Sequence, residues 1–362
     1  KDLTLSDNYQ GILLAYSTHC SIEDVTALNN YYGILLYYSC DNTLSGNNAT
    51  DNSWGGICLI CSSDNTLTNN ATNNGDGIEL YYSSNNTLTN NTMWGDGSNF
   101  GVFGSSLLDF TQDIDTSNKV NGKAVQYLMG EEDLVIDSSW DVGYLGVVDC
   151  SHITIKDLTL SDNYQGILLA YSTYCSIEDV NASDDSFGIY LSHSSNSTLT
   201  GNNISNIWNN GIHLDYSSDN TLTGNNVANS WHGIRLTHSS DNSIYLNNFI
   251  GNSDKNAYPS DSSNTWNSPQ EMTYAYNDNQ YTNYLGNYWD DYEGADADND
   301  GIGDTPYDID SDEDAYPLIE PFENYPTWSP WDYDENTSDY IEINELLHAI
   351  SDYIGSNINI GE

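Results

Sequence analysis

The chain has 362 residues, only 38% of them hydrophobic, and its 54 acidic and 6 basic side chains give a formal net charge of −48. This charge excludes nucleic acid and anionic lipid as partners, because both are recognised through basic surfaces. No stretch approaches the roughly 20 apolar residues that a membrane helix needs. So many carboxylates need salt or bound cations to keep a chain compact, so we expect an extracellular or cell-surface protein in a saline or calcium-containing medium.

The chain is built from short repeats that begin at a glycine followed by an apolar residue. Within each unit the apolar residues alternate, as in Gly33-Ile34-Leu35-Leu36, and a period of two predicts a strand. A unit of about 22 residues has room for three short strands and three turns, which make one coil of a β-helix. The repeat glycines are Gly11, Gly33, Gly56, Gly77, Gly166, Gly188, Gly211 and Gly233.

The sequence therefore predicts an all-β, right-handed parallel β-helix of about ten coils of 21–24 residues, with a C-terminal cap and a short helical tail. An Asn pair recurs in each unit, as at Asn47 and Asn48, and predicts ladders of side-chain amides between coils. Residues 1–25 and 156–180 differ only in having His19 or Tyr174. We therefore expect two blocks of about five coils, stacked into one rod of roughly 50 Å at ~4.8 Å per coil.

Breaks in the repeat divide the chain into five segments. A hairpin around Asn121-Gly122 is expected to leave the rod between the blocks. The segments are a first β-helix block (1–108), an inserted hairpin or excursion (109–135), a second block (136–250), a cap with a calcium loop (251–325) and a tail like a dockerin or EF-hand (326–362).

The strongest site signal is an acidic loop that runs from Asp296 to Asp304. Carboxylates at its positions 1, 3, 5 and 9, with Gly301 at position 6, match the pattern of a calcium loop. The sequence predicts calcium ligands at Asp296, Asp298, Asp300 and Asp304. A weaker copy in the tail has Asp339 where the turn glycine belongs, and its candidate ligands are Asp334, Asn336, Ser338, Tyr340, Glu342 and Glu345.

Two columns of outward side chains in the second block are the best candidates for a cleft. Arg235 with His213 or His238 could act as acid and base on a polysaccharide. The same tyrosines recur in the first block without His or Arg, however, and this favours packing. The columns contain Tyr190, His213 and Arg235, and Tyr171, His193, Tyr216 and His238. A hydrolase needs two carboxylates roughly 5–9 Å apart, for which the candidates are Asp184, Asp185 and Asp215.

Cysteines and sequons complete the candidate sites. Cys58 and Cys61 form a lone CxxC motif, for which a buried or disulfide-bonded role is favoured over metal binding. Exported proteins are glycosylated at Asn-x-Ser/Thr, and the candidates are Asn48, Asn70, Asn85, Asn90, Asn181, Asn196, Asn203 and Asn336.

The repeat units, which read Gly-Ile-x-Leu…Ser-Ser-x-Asn-Thr-Leu-Thr-x-Asn-Asn, resemble the parallel β-helix repeats of NosD-like proteins. Elements common in archaeal members of that group resemble the segment Ile114–Lys123 and a C-terminal signature made of Tyr284–Gly294, Asp296–Pro306 and Asp314–Leu318. The likeness covers roughly residues 1–325. It implies an exported β-helix. The founding members assist copper-site assembly in a periplasmic reductase, but 3 Met and 7 scattered His offer no copper-ligand cluster here.

Near-identical repeats, terminal calcium modules and the lack of a distinct catalytic constellation favour an extracellular structural protein. It would be a subunit of a surface layer, sheath or filament. Its expected partner is a second copy through end-to-end or lateral contacts, because open ends of a β-helix present unpaired strand edges. The alternatives are a polysaccharide lyase or hydrolase and a non-catalytic adhesin that binds cell-surface glycans.

Overall fold

The computed structural model describes residues 3–327, which form about twelve turns of parallel β-solenoid. The strands at the position of the repeat glycine, eight of which contain the glycine, number five in one sheet and seven in another. The prediction of a parallel β-helix is confirmed, with about two turns more than expected. No helix in the described part of the chain is long and apolar enough to cross a membrane. The six candidate ligands of the tail, Asp334 to Glu345, lie outside the described residues.

Nearly all regular structure is strand. The first part contains β1 (Leu3–Ser6), β2 (Gln10–Ala15), β3 (Ser21–Glu23), β4 (Val25–Leu28), β5 (Tyr32–Tyr37), β6 (Thr43–Thr50), β7 (Gly55–Ile60), β8 (Thr66–Thr72), β9 (Asp76–Tyr81), β10 (Thr87–Leu88), β11 (Thr92–Trp94), β12 (Ser98–Phe103), helix α1 (Leu107–Phe110), β13 (Asp113–Ile114) and β14 (Lys119–Val120).

The second part contains β15 (Lys123–Met129), β16 (Val135–Ile136), β17 (Tyr144–Val148), β18 (Thr154–Lys156), β19 (Thr159–Ser161), β20 (Gln165–Ala170), β21 (Ser176–Glu178), β22 (Asn181–Ser183), β23 (Phe187–Ser192), β24 (Thr198–Thr200), β25 (Asn203–Ser205), β26 (Asn210–Asp215), β27 (Thr221–Thr223), β28 (Asn226–Ala228), β29 (His232–Thr237), β30 (Ser243–Tyr245), β31 (Asn248–Ile250) and β32 (Lys255–Ser260). The cap adds β33 (Met272–Tyr276), β34 (Asn279–Asn283), β35 (Tyr288–Trp289), β36 (Tyr307–Ile309), β37 (Asp312–Asp314) and a 3-10 turn (Phe322–Asn324).

The repeat glycines are required because they face the crowded interior of a coil. A Cβ on Gly33 would lie 2.5 Å from the carbonyl oxygen of Gly56, and one on Gly77 would lie 2.2 Å from that of Asn99. No side chain fits at such distances. The apolar residue after each glycine, such as Ile34, is also fully buried, except Ile12 after Gly11 in the first coil.

The predicted Asn ladders are present at the turns between strands. The Asn30 amide N–H donates to Asn52 Oδ1 at 2.9 Å, and the Asn52 N–H donates to Asn74 Oδ1 at 3.0 Å. Each Nδ2 also donates to a carbonyl of the preceding coil, as from Asn52 to Ala27 at 3.1 Å. The ladders satisfy buried backbone groups that no strand pairing reaches.

The coils form two solenoids rather than the single rod expected from the sequence. We call residues 3–120 the N-terminal solenoid and residues 123–327 the C-terminal solenoid. Strand β14 pairs with β11 of the first, and β15 pairs with β17 of the second. The two strands are antiparallel around the Asn121-Gly122 turn. The hairpin therefore joins the solenoids instead of leaving them.

The last coil of the N-terminal solenoid packs on the outer face of the C-terminal one. The Asn99 N–H donates to the Asp162 carbonyl at 2.6 Å, and the Tyr164 N–H donates to that of Phe100 at 3.0 Å. As a result, the identical strands β2 and β20 differ in environment. Leu13 is 48% exposed, whereas its counterpart Leu168 is fully buried.

The cap closes the far end of the C-terminal solenoid with aromatic side chains. Strand β35 pairs with β31, and Trp289 stacks on Phe249 with ring centroids 4.7 Å apart. Asn287 continues an Asn ladder by accepting the Asn247 N–H at 3.1 Å. All six cysteines, including Cys58 and Cys61, are free thiols in this structure.

Some ladder positions hold a carboxyl group in place of an amide, as at Asp96 and Asp185, and we predict that Asp185→Asn stabilises the fold. Asp185 Oδ1 accepts the Asn163 N–H at 2.8 Å, but buried Oδ2 has no partner among the described residues. Burial raises the pKa of Asp185. We expect a gain of about 1–3 kcal/mol in unfolding free energy near neutral pH, the usual cost of an unsatisfied buried group.

The gain must depend on pH. A carboxyl with a raised folded pKa destabilises the fold increasingly as the pH rises above its unfolded pKa of ~3.9, and has no such effect below it. Urea unfolding near neutral pH and near pH 3 measures the difference, with exposed Asp184→Asn as the control. Equal gains for both variants, or an undiminished gain in acid, would contradict the prediction.

Candidate functional site

A cleft opens where the last coil of the N-terminal solenoid meets the C-terminal solenoid. Its volume is about 210 Å³, which is below the ~300 Å³ of typical small-molecule sites and suits a single ring-sized group. We call it the junction cleft, and it is lined by Tyr32, Trp54, Cys58, Leu59, Ile60, Asp76, Glu79, Tyr81 and Tyr164.

One wall of the junction cleft is the end of an aromatic ladder. Tyr9 stacks on Tyr31 with ring centroids 4.8 Å apart, and Tyr31 stacks on Trp54 at 5.8 Å. At this corner the next two coils carry Gly75 and Gly97, which have no side chain. The ladder therefore stops at Trp54, which is 49% exposed and borders the cleft.

The floor of the cleft carries two carboxyl groups, those of Asp76 and Glu79 on β9. Because Gly77 and Ile78 both face the interior, Asp76 and Glu79 share the outer face of the strand. The Cys58 thiol lies 3.6 Å from Glu79 Oε2. Among the described residues that line the cleft there is no Lys, Arg or His, so no cation balances the carboxyls there.

Burial without a cation gives the two carboxyls different and unusual pKa values. Burial raises the pKa of Glu79 to about 8, and the neighbouring Asp76 charge adds to the rise. Burial raises the pKa of Asp76 to about 6, opposed by a hydrogen bond from Ser98. Between about pH 6 and 8, Glu79 is therefore mainly protonated and Asp76 mainly ionised. A neighbouring acid and base are the arrangement that acid–base catalysis uses.

The wall opposite Trp54 comes from the C-terminal solenoid. Tyr164 reaches the cleft because Gly101 has no side chain, and a Cβ there would lie 2.4 Å from Tyr164 Cβ. Ser98 Oγ and Ser186 Oγ, 3.0 Å apart, link the solenoids beside it. In the duplicated segments Tyr164 corresponds to Tyr9, which is 64% exposed. Tyr164 therefore lines a cleft only because the two solenoids meet at this copy of the duplicated segment.

The predicted columns of the second block are present. Successive strands align Tyr190, His213 and Arg235, and rings stack at 4.5, 5.0 and 4.6 Å along Tyr171, His193, Tyr216 and His238.

The environment of the first column favours packing over catalysis. His213 is 9% exposed, and its ring stacks on Tyr190 at 4.9 Å. Burial lowers the pKa of His213 to about 3, and the Arg235 charge adds to the effect. Arg235 itself lies over the Tyr258 ring, with its guanidinium carbon 5.3 Å from the centroid.

The three aspartates proposed for a hydrolase do not share one outer face. Asp185 belongs to an interior ladder, and its exposed neighbour Asp184 has a left-handed φ of 57°. Asp215 lies on β26, with its carboxylate 3.5 Å from the Tyr190 hydroxyl.

The acidic loop of the cap brings together three of its four predicted ligands. Carboxylate oxygens of Asp296, Asp298 and Asp300 all lie within 4.8 Å of one another. The Asp304 carboxylate instead accepts the Ala297 N–H at 2.9 Å. Gly301, at position 6 of the loop, has a φ of 91°, a conformation that favours glycine.

Comparison with known proteins gives a family. The model of the family described as periplasmic copper-binding protein (NosD) matches residues 1–118 and 139–294. The chain belongs to the NosD family. No curated protein matches this NosD-family chain.

Solved structures similar to this NosD-family protein include three whose titles name enzymes that act on polysaccharides. The A-module of the Azotobacter vinelandii mannuronan C-5 epimerase AlgE6 is 16% identical, with 69% of this chain and 74% of that chain covered and a TM-score of 0.30. A GH87 α-1,3-glucanase catalytic domain is 12% identical over 73% and 64%, with a TM-score of 0.26. An alginate lyase from Paenibacillus sp. is 11% identical over 73% and 90%, with a TM-score of 0.21. Likenesses this distant carry no argument about function.

The family description names copper, so the donor atoms of this NosD-family chain matter. Copper favours imidazole, thiolate and thioether ligands. Within residues 3–327, the one group of three or more close metal-binding side chains is that of Asp296, Asp298 and Asp300. Carboxylates suit hard cations instead. The described residues therefore do not fit a copper site.

The sequon asparagines stand beside the buried ladders, and two of them form an exposed one, in which Asn203 Nδ2 donates to Asn181 Oδ1 at 3.3 Å. Asn48 is half-buried, Asn336 lies outside the described residues, and the exposed ones are Asn70, Asn85, Asn90, Asn181, Asn196 and Asn203. These six are sterically open to glycosylation.

Sequence reasoning missed the Asp76–Glu79 pair, although one signal was available. In the N-terminal solenoid the column that holds Glu79 otherwise contains Leu13, Leu35, Cys58 and Gly101. A carboxyl at a position that is apolar in the other coils marks a change of role. The burial of Glu79 could not be foreseen, because Tyr164 is 85 residues away in sequence.

The protonation state of Glu79 gives a direct prediction. An infrared difference titration of carboxyl C=O bands should show a group that loses its proton near pH 8, and Glu79→Gln should remove that signal. Asp76→Asn should move the titration to lower pH, because a neighbouring negative charge is gone. The control is exposed Glu132→Gln, which should change nothing near pH 8. A signal that survives Glu79→Gln would disprove the assignment.

Proposed function

We propose that this NosD-family protein is an exported enzyme that binds a polysaccharide at the junction cleft and hydrolyses a glycosidic bond. The observation that carries the proposal is the Asp76–Glu79 pair between the aromatic walls. Tyr and Trp offer flat apolar surfaces to sugar rings, and two carboxyls of different pKa supply an acid and a base. The proposal follows the enzymatic alternative from the sequence. Assembly into a surface layer or filament, and a cell-surface location, remain predictions.

Each carboxyl has one role in the proposed reaction. The protonated Glu79 carboxyl donates its proton to the glycosidic oxygen as the bond from that oxygen to the anomeric carbon breaks. The Asp76 carboxylate takes a proton from a water molecule whose oxygen bonds to the anomeric carbon. Exchange with solvent then returns the proton from Asp76 and restores that of Glu79. Glycoside hydrolases commonly use two carboxyls in this way.

The pH dependence and the acid variant test the proposal together. Hydrolysis should follow a bell-shaped curve with flanks near pH 6 and pH 8, set by the pKa values of Asp76 and Glu79. Glu79→Gln should lower kcat by a factor of about 10²–10⁴, the usual contribution of a general acid. The measurement is the release of reducing ends from a panel of polysaccharides.

The matched control is Glu23→Gln, which removes an exposed carboxyl of the same solenoid and should leave kcat unchanged. The proposal fails if no polysaccharide of the panel is cut, or if Glu79→Gln retains the activity of the unaltered protein.

We also propose that the loop 296–304 binds a calcium ion through Asp296, Asp298 and Asp300. Three carboxylates with no cation nearby repel each other, and burial together with its acidic neighbours raises the pKa of Asp300. A bound Ca²⁺ would relieve this repulsion. The loop packs on the β33–β34 hairpin, where the Tyr274 hydroxyl donates to the Asp300 carbonyl at 3.0 Å. The ion would thereby stabilise the cap.

Hydrogen exchange distinguishes this loop from the tail. Adding Ca²⁺ should slow amide exchange within residues 296–304, and Asp298→Asn should abolish the effect because one of three charged ligands is lost. Asp308→Asn, which removes an exposed carboxyl of β36, is the control and should retain the protection. Exchange in the loop that ignores Ca²⁺ would contradict the proposal, whatever the tail binds.

A further inference from the structure

We infer that the junction cleft selects an uncharged polysaccharide and rejects one that carries carboxylate or sulfate groups. This inference rests on the proposed function, because it concerns the substrate of the same cleft. It rests on the charge and the aromatic surface around Asp76 and Glu79, and it departs from the uronate-rich substrates that a lyase with Arg235 would use.

The cleft offers no counter-ion to an anionic sugar. Its polar lining consists of two carboxyls, a thiol and tyrosine hydroxyls, with no Lys, Arg or His among the described residues that line it. Two lysines outside the cleft face other carboxylates, with Lys119 3.9 Å from Asp141 and Lys255 2.7 Å from Asp310. A uronate in the cleft would lose its hydration and meet the Asp76 charge, and both effects oppose binding.

A cationic sugar would bind in the cleft, but it would cause Glu79 to lose the proton that a general acid needs. An ammonium group beside Glu79 favours the carboxylate form and lowers its pKa, so the proton needed for the leaving group would be lost. An uncharged sugar leaves Glu79 protonated. The pair therefore works as acid and base only with a substrate that brings no charge.

The surface that leads along the coils to the cleft also favours uncharged sugars. The ladder of Tyr9, Tyr31 and Trp54 runs along the stacked coils and ends at the carboxyl pair. Tyr9 is 64% exposed and Trp54 is 49% exposed. A chain that leaves the cleft on this side meets aromatic edges and one open Trp face, which favour the C–H surface of uncharged sugars.

The test compares polymers that differ only in charge. Each uncharged polysaccharide of a panel is offered beside the same polymer oxidised at C6, which replaces its primary hydroxyls with carboxylates and keeps its linkages. We expect reducing ends to be released from at least one uncharged polymer and at least about tenfold less from its oxidised form. Polymers of glucosamine extend the panel to cations, and we expect them to bind without being cut.

A double variant shows whether the carboxyl pair is the cause of rejection. Asp76→Asn with Glu79→Gln removes the Asp76 charge and the ionisable Glu79 carboxyl, cuts nothing, and should bind the oxidised polymer at least about tenfold more tightly than the unaltered protein does. The paired control Asp113→Asn with Glu23→Gln, at two exposed positions of the same solenoid, should leave the rejection intact.

The outcomes separate this inference from the proposed function. Equal or preferred cutting of an oxidised or amino polymer would overturn the inference and leave hydrolysis at the cleft standing. An unchanged affinity of the double variant for the oxidised polymer would also overturn it. If no polymer of any charge is cut or bound, the proposed function itself fails.

Discussion

Two backbone hydrogen bonds, from Asn99 to Asp162 and from Tyr164 to Phe100, hold the end of one solenoid against the side of the other. The junction cleft exists because of this contact. Without it Glu79 would face open solvent on a plain outer sheet, as the side chains of β2 do. With it, the core of the N-terminal solenoid extends onto Leu168 and Ala170 of its neighbour, and two outward carboxyls come to lie in a partly closed space.

The charge of the whole protein makes the cleft unusual. The chain has 54 acidic side chains, and most of those within residues 3–327 are exposed to water, where salt screens their charge. Asp76 and Glu79 are removed from water without a cation, so the first proton is lost only near pH 6 and the second near pH 8. Burial, together with the neighbouring Asp76 charge, thus keeps an acid protonated at neutral pH in a strongly acidic protein, and the same carboxyl pair opposes the binding of anions.

The features that the sequence predicts are those that recur from coil to coil. Glycine spacing gave the coils, the Asn pairs gave the ladders, and equivalent positions gave the stacked column from Tyr171 to His238. It could not predict the junction, because the segment Gln10–Ala15 is identical to Gln165–Ala170 and yet only the second copy is covered. Local sequence cannot separate two identical strands whose difference lies in a contact made elsewhere. The Asp76–Glu79 pair was missed for that reason. Arg235 and His213 were instead proposed as acid and base because basic residues are few in this chain, and their packed surroundings could not be read from the sequence.

The central claim is that a sugar chain binds where the two solenoids meet, and a hydrogen-exchange footprint of Glu79→Gln with a bound oligosaccharide tests it most directly. The account predicts slower exchange at two places distant in sequence, residues 54–60 with 76–81 on one side and residues around 164 on the other. Protection confined to residues 190–238, along the histidine and arginine columns, would contradict it.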